Sequence, residues 1–232
     1  MQPYFFPYMG YFDLIHKVDR WVVFDTPQYI RQGWVNRNRI LHPQAGWQYI
    51  VVPLKKHSQQ TRINRIEIAS PHDWRGKIVA QLTHYRRKAP FYDQTLQLVE
   101  HCLANTERSL SRLNVSILEC VCRVLGIRFT YHYFSDMTLE LGPIRGPGDW
   151  ALQIAAALEA SAYINPPGGA DLFNPAEFET KGIKLIIQRF RSFTYDTGPY
   201  DFIADLSIID ALMWNSPDTI RAYLDQQRAG ER

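Results

Sequence analysis

The sequence predicts an α/β fold: a Rossmann-like, mostly parallel sheet flanked by helices, with a helix-rich C-terminal half. Two short apolar runs, Trp21-Val22-Val23-Phe24-Asp25 and Tyr49-Ile50-Val51-Val52-Pro53, end in polar or turn residues, as strands buried on both faces do. Helical periodicity separates runs of this kind. Their alternation along most of the chain favours parallel strands joined by right-handed crossovers. At 232 residues and 46% hydrophobic content the chain can build one large core, so a single domain over 1–228 is expected, with 229–232 frayed.

Phe12, Ile15 and Val18 recur at helical spacing between Met9 and Asp19, after a first strand and before the strand at Trp21. The result is a βαβ unit, whose ligands gather at the carboxyl ends of the strands, where Tyr8 and Asp25 fall. Asn64 to Ile68 alternates polar and apolar residues as an edge strand does, and Pro71 to Tyr85 reads as helical before the break at Lys88-Ala89-Pro90. The clearest helix covers Thr106 to Leu125, with Leu110, Leu113, Ile117, Val121 and Val124 on one stripe and Gly126 as its stop. A strand follows at Phe129 to Phe134, then a loop, a helix from Asp149 to Glu159, a strand at Ala162 to Asn165 and the turn Pro166 to Gly169. Asn174-Pro175 starts a short helix that Gly182 ends, and Ile183 to Phe190 returns as a strand. Ser207-Ile208-Ile209-Asp210 reads as a capping box with Leu206 and Ala211 as its staple.

Several classes are excluded at this level. No run approaches the roughly 18 apolar residues of a membrane span, and the start MQPYFFP lacks the pattern of a signal peptide, so a cytoplasmic protein without stable membrane insertion is expected. Cys102, Cys120 and Cys122 are odd in number and form no pair of CxxC motifs, which argues against a disulfide framework and a structural zinc site. His57, His84 and His132 are scattered, so no metal site is expected. Oligomeric state leaves no trace in the sequence.

The net charge of +3 conceals an asymmetry: residues 31–90 hold twelve Lys and Arg against Glu67 and Asp73, a surplus of +10. A block of this kind attracts phosphate groups, whether on a nucleotide, a phosphopantetheine arm or a nucleic acid. The first forty residues meanwhile concentrate rings, amides and guanidiniums in Gln2 to Phe12 and Gly33 to Arg39, a composition suited to holding a ligand. If Asn36 to Arg39 is extended, Asn36 and Asn38 project to one side to read hydroxyls, and Arg37 and Arg39 to the other to neutralise phosphate. Tyr4 and Tyr8 offer hydroxyl donors and ring faces for a sugar or base. Lys55 and Lys88 add phosphate contacts.

These residues carry a resemblance. Gln2-Pro-Tyr-Phe-Phe-Pro-Tyr-Met-Gly-Tyr-Phe12, Phe24-Asp25 with Gln28-Tyr29, Gly33-Trp34-Val-Asn36-Arg37-Asn38-Arg39-Ile40, Val52-Pro53, Tyr85 with Lys88-Ala89-Pro90, and Leu206-Ser-Ile-Ile-Asp210 resemble the WbqC-like family over nearly the whole length. The resemblance implies a bacterial protein of surface-polysaccharide (O-antigen) or related secondary-metabolite biosynthesis, acting as a glycyl or other aminoacyl transferase onto amino sugars. It also implies substrate contacts at Gln2, Gln28 and Trp34. The chain departs from the family in two places. Only Met1 precedes Gln2, so the first strand is clipped or the start differently placed, and Asp25-Thr26 stands where the family often has Asp-Asp, leaving Asp25 as the single acidic candidate. A second likeness bears on fold: Tyr8-Met9-Gly10-Tyr11 sits where Rossmann-like nucleotidyltransferases carry His-x-Gly-His, with Gly10 allowing close approach of a phosphate but both histidines missing.

Aminolysis of an activated acyl group needs a base, donors for the oxyanion and a grip on both substrates. Asp25 is the candidate base and Tyr8 its catalytic companion, without metal or permanently bound cofactor. The cosubstrate is a phosphate-bearing acyl donor: an acyl or peptidyl carrier protein, coenzyme A or aminoacyl-tRNA, with a small-molecule amine as acceptor. The alternative is a non-catalytic nucleotide-sugar or polyanion binding module. A peripheral membrane role rests on the basic block and the aromatics alone.

Overall fold

A computed structural model describes residues 1–69 and 73–229. Contacts divide the chain into two compact units, one of Met1–Ser135 with 192–229 and one of Asp136–Arg191.

In the first unit the opening segment leads into α1 (Met9–Lys17) and β1 (Trp21–Val23). The Met1 amine donates to the Val22 carbonyl at 2.8 Å and the Phe24 N–H to the Met1 carbonyl at 2.8 Å, bracketing Val23 as a parallel neighbour would. The expected first strand does not form as an element: the residues before α1 contribute only these two backbone bonds beside β1, so the strand–helix–strand unit is incomplete. β2 (Arg37–Leu41) and β3 (Trp47–Val51) form an antiparallel hairpin. Then come a 3₁₀ turn at Ile63–Arg65, α2 (Trp74–Gln81), α3 (Tyr92–Leu103), α4 (Leu110–Val124) and β4 (Tyr131–Tyr133), which lies parallel to β1. After the second unit, α7 (Ile208–Trp214) and α8 (Pro217–Ala229) close the first. The second unit contains α5 (Asp149–Ala157), β5 (Ala162–Asn165), α6 (Pro175–Thr180) and β6 (Lys184–Ile187), the two strands again parallel. Its core is Leu152, Ala155, Phe178 and Ile183, with Tyr163 and Phe173 packed on it.

The α/β character stands, but the sheet expected to be single and mostly parallel is three two-stranded sheets among the described residues, one of them antiparallel. The run at Tyr49, expected to be covered on both faces, is a hairpin arm: Ile50 is buried while Trp47 and Val51 are more than 40% exposed. Helices are not concentrated in the C-terminal half, since α1 to α4 all end before residue 125. Asn64 and Arg65 belong to the 3₁₀ turn, and Glu67 and Ile68 make only isolated bridges, so Asn64 to Ile68 is not an edge strand. The expected helix at Pro71 begins at Trp74, capped by Asp73; Pro71 and His72 lie outside the described residues, as do 230–232. Ala229, the first residue expected frayed, is the last residue of α8.

Gly126 stops α4 by the mechanism its sequence implied. At φ +65° it lets its own N–H reach the Arg123 carbonyl and Ile127 N–H the Cys122 carbonyl, pairing two carbonyls that the helix end leaves open. Gly182 ends α6 in the same way, through Glu179 and Phe178.

The aromatic opening is mostly core. Phe5, Phe6 and Phe12 are fully buried and Met9 and Tyr11 nearly so, leaving Gln2, Tyr4 and Tyr8 half-buried. No helix among the described residues is long and apolar enough to cross a membrane.

Candidate functional site

Because β1 and β4 are parallel, their carboxyl ends sit side by side, and both chains turn away there. Asp25 lies two residues beyond β1 and Ser135 two beyond β4. Asp25 is 2% exposed, and both its oxygens are engaged: Oδ1 accepts the Ser135 N–H at 3.0 Å and Oδ2 the Ser135 hydroxyl at 2.7 Å. Its backbone is fixed as well, with its carbonyl accepting the Asn64 N–H at 2.8 Å. Each carboxylate oxygen keeps capacity for a further bond, so the group is oriented without being saturated. The Arg112 guanidinium lies 4.7 Å over the ring of Tyr133, whose phenol is pushed up chiefly by burial, with Asp25 among the lesser causes.

Tyr8 is the residue before α1, with extended backbone. Burial first, then the charges of Asp205 and Asp13 and the neighbouring Tyr4, raise its phenol above the ordinary value, which keeps it a hydrogen-bond donor at neutral pH. Tyr4 is raised by burial and packs 5.5 Å from Tyr11, whose hydroxyl donates to the Gln2 carbonyl at 2.6 Å. Gly10 is buried in the first turn of α1. Gln28 is on an exposed loop, its amide donating to the Gln59 carbonyl at 2.7 Å.

The alternation of Asn36 to Arg39 is extended as expected, yet its amide side points inward. Asn38 is 4% exposed and donates to the Phe5 and Phe6 carbonyls at 3.0 and 2.8 Å; Asn36 accepts from the Tyr29 hydroxyl and donates to the Val52 carbonyl. These amides are used in holding backbone, which corrects the expectation that they read a ligand's hydroxyls. The guanidinium side is half-buried: Arg37 donates to the Gln32 carbonyl, and the Nε atoms of Arg37 and Arg39 are buried. Arg37 lies 4.1 Å over the Tyr49 ring, and Arg39 lies 5.2 Å from both the Trp34 and Trp47 rings, so the chain brings Trp34, Arg37 and Arg39 together with two rings that sequence reasoning missed. Cross-strand pairing of Arg39 with Tyr49 makes this one face of the hairpin. Lys55 and Lys88 are elsewhere: Lys55 pairs with Glu67 at 2.5 Å, and Lys88 donates to the Tyr200 hydroxyl at 2.7 Å.

A buried network was also missed. Asp210, 1% exposed, accepts the Tyr85 hydroxyl at 2.6 Å and the Tyr195 hydroxyl at 2.7 Å, and burial pushes its carboxyl up to about 6 against the lowering effect of those two bonds. Ser207 caps α7 as expected, accepting from the Ile209 N–H, but the Asp210 side chain faces the tyrosines instead of closing a capping box. Nothing local pairs Tyr85 with a residue 125 positions away. Ser135 did leave a signal, since it follows an expected strand as Asp25 does. Among the described residues no group of His, Cys, Asp and Glu is arranged to hold a metal.

The family model described as the WbqC-like protein family matches residues 2–222, running through both units. The chain is similar to Rv1507c, an uncharacterised protein of Mycobacterium tuberculosis, with 29% identity over 191 residues covering 80% of this chain and 78% of that one. No solved structure matches it.

Proposed function

We propose that this chain, which belongs to the WbqC-like family, is an acyl or aminoacyl transferase that forms an amide on the amine of an amino sugar or similar small acceptor. The supporting observation is Asp25, a buried carboxylate at the carboxyl ends of a parallel strand pair, oriented through both oxygens by one serine. In this reading the acceptor nitrogen attacks the donor carbonyl carbon. The C–N bond forms, the C–O bond of an aminoacyl ester or the C–S bond of a thioester breaks, the amine proton passes to Asp25, and the departing oxygen or sulfur is protonated in turn. Tyr8, held protonated, donates to the developing oxyanion. The place of such a reaction is the decoration of surface polysaccharides or related secondary metabolites.

The test is mass-spectrometric detection of the amide after incubation with an amino sugar and glycine carried on tRNA, coenzyme A or a carrier protein. Asp25→Asn should lower turnover by about 100-fold or more with the circular dichroism spectrum unchanged. Turnover by Asp25→Asn at the parent rate would refute the assignment. The paired guanidiniums over the hairpin's rings favour a second reading, a nucleotide-sugar or polyanion binding module without catalysis. Binding without product from any donor would select it.

A further inference from the structure

We propose that the arginine-bearing face of the β2–β3 hairpin binds the single-stranded end of an RNA, which makes aminoacyl-tRNA the donor; the second clause rests on the transferase reading, the first does not. The face consists of Arg37 and Arg39 on one strand and Trp47 and Tyr49 on the other, with Trp34 at its edge.

Its chemistry selects the occupant. Trp47 is 41% exposed and its ring stands 4.8 Å from Tyr49, so aromatic surface that a core would bury faces water. The guanidiniums lie over these rings and have no carboxylate partner among the described residues, Arg37 donating only to the Gln32 carbonyl. The Nε atoms of both are buried without a hydrogen-bond partner there. Arg31 adds a third charge close by, since both it and Arg37 act on Tyr29. Guanidiniums seek phosphate, and exposed ring faces and guanidinium planes stack bases.

Spacing argues for a strand over a lone nucleotide. Residues two apart on a β-strand stand about 6.6 Å apart, close to the separation of adjacent phosphates in an extended single strand. Coenzyme A offers one base and phosphates clustered on one nucleotide, and carrier-bound phosphopantetheine offers no base. A duplex hides the base faces that the rings would stack.

The experiment measures anisotropy of a fluorescein-labelled single-stranded RNA of about twelve nucleotides ending in CCA, over a salt series, on the full chain. Arg37→Ala and Arg39→Ala should each reduce the magnitude of the slope of log K against log salt by about 0.7. Trp47→Ala should weaken binding about tenfold or more with the slope unchanged, and Trp47→Phe should restore most of the loss. Absence of RNA binding, equal binding by Trp47→Ala, or equal affinity for a duplex of the same length would each overturn the inference. So would coenzyme A displacing the RNA with the same dependence on the variants, which would reassign the face to a small nucleotide. RNA binding without amide product from any donor would sustain this inference and remove the transferase reading. Product from a thioester without RNA binding would do the reverse.

Discussion

Replacing Tyr85 by Phe removes one oxygen that holds two buried groups. The hydroxyl donates to Asp210 at 2.6 Å and accepts the Leu41 N–H at 3.0 Å, and Tyr85, Leu41 and Asp210 are each at most 1% exposed. A hydrogen bond to a charged partner contributes about 1.5–3 kcal/mol, and a stranded buried N–H costs about 1–3 kcal/mol more, so a loss of about 3–5 kcal/mol is expected at neutral pH. Tyr195→Phe, which removes one bond to Asp210 from a half-buried ring, should cost about 1.5–3 kcal/mol. The sign of the pH dependence follows from Asp210. Its folded pKa, about 6, is above the unfolded value of 3.8, so the folded state binds the proton more tightly; stability from this group is complete below about pH 4, falls as pH rises to about 6, and is level beyond. The displacement corresponds to about 3 kcal/mol. Because the Tyr85 bond favours the ionised carboxyl, Tyr85→Phe should raise the Asp210 pKa above 6, and its cost should shrink at pH 4.5 relative to pH 7.5. Urea denaturation followed by tryptophan fluorescence at the two pH values measures both effects. A cost below about 1 kcal/mol, or one equal at both pH values, would refute the account of a charge-assisted buried network.

Two further outcomes follow from residues with assigned places. Asn38→Ala strands the carbonyls of Phe5 and Phe6 and should destabilise by about 2–4 kcal/mol, with Asn38→Asp worse because a carboxylate would face two carbonyls; unchanged melting would return Asn38 to a ligand-facing role. Burial pushes the thiols of Cys102 and Cys122 up, so at pH 8 Ellman's reagent should react promptly only with Cys120, and with the remaining two after denaturation; two or more prompt equivalents would contradict the packing of α3 and α4.

What was legible in the sequence is what short-range physics controls. The α4 stripe with its glycine stop, the Asn174-Pro175 start of α6, and β5 at Ala162 to Asn165 were all read from residues within a few positions of one another. The Asn36 to Arg39 alternation gave the right sidedness, but which side is covered depends on the Phe5-Phe6 backbone more than thirty residues earlier. An apolar run such as Tyr49 to Val52 reads alike in a covered parallel strand and in a hairpin arm. α3 is a helix whose buried residues, Tyr92, Thr95, Val99, Cys102 and Leu103, recur at helical spacing, so it is legible by the same rule although it is not among the expected elements. At the site, Asp25 was legible as a residue following a strand, whereas Ser135, Trp47 and the Tyr85–Asp210–Tyr195 network depend on pairings of distant segments.

The peptide from Pro3 to Pro7 is moored by distant side chains: Asn114 reaches Pro3, Asn38 reaches Phe5 and Phe6, and Ser207 reaches Phe6, across 111, 33 and 201 residues of chain. Phe6 meanwhile sits at φ +39°, a conformation that a residue of its size keeps only under such restraint. The segment therefore keeps its shape only while β2, α4 and α7 are in place, since each mooring joins distant parts of the chain. Tyr8 lies directly downstream, so a lesion that unseats Ser207 at the start of α7 is felt 201 residues away, at the backbone that leads into α1.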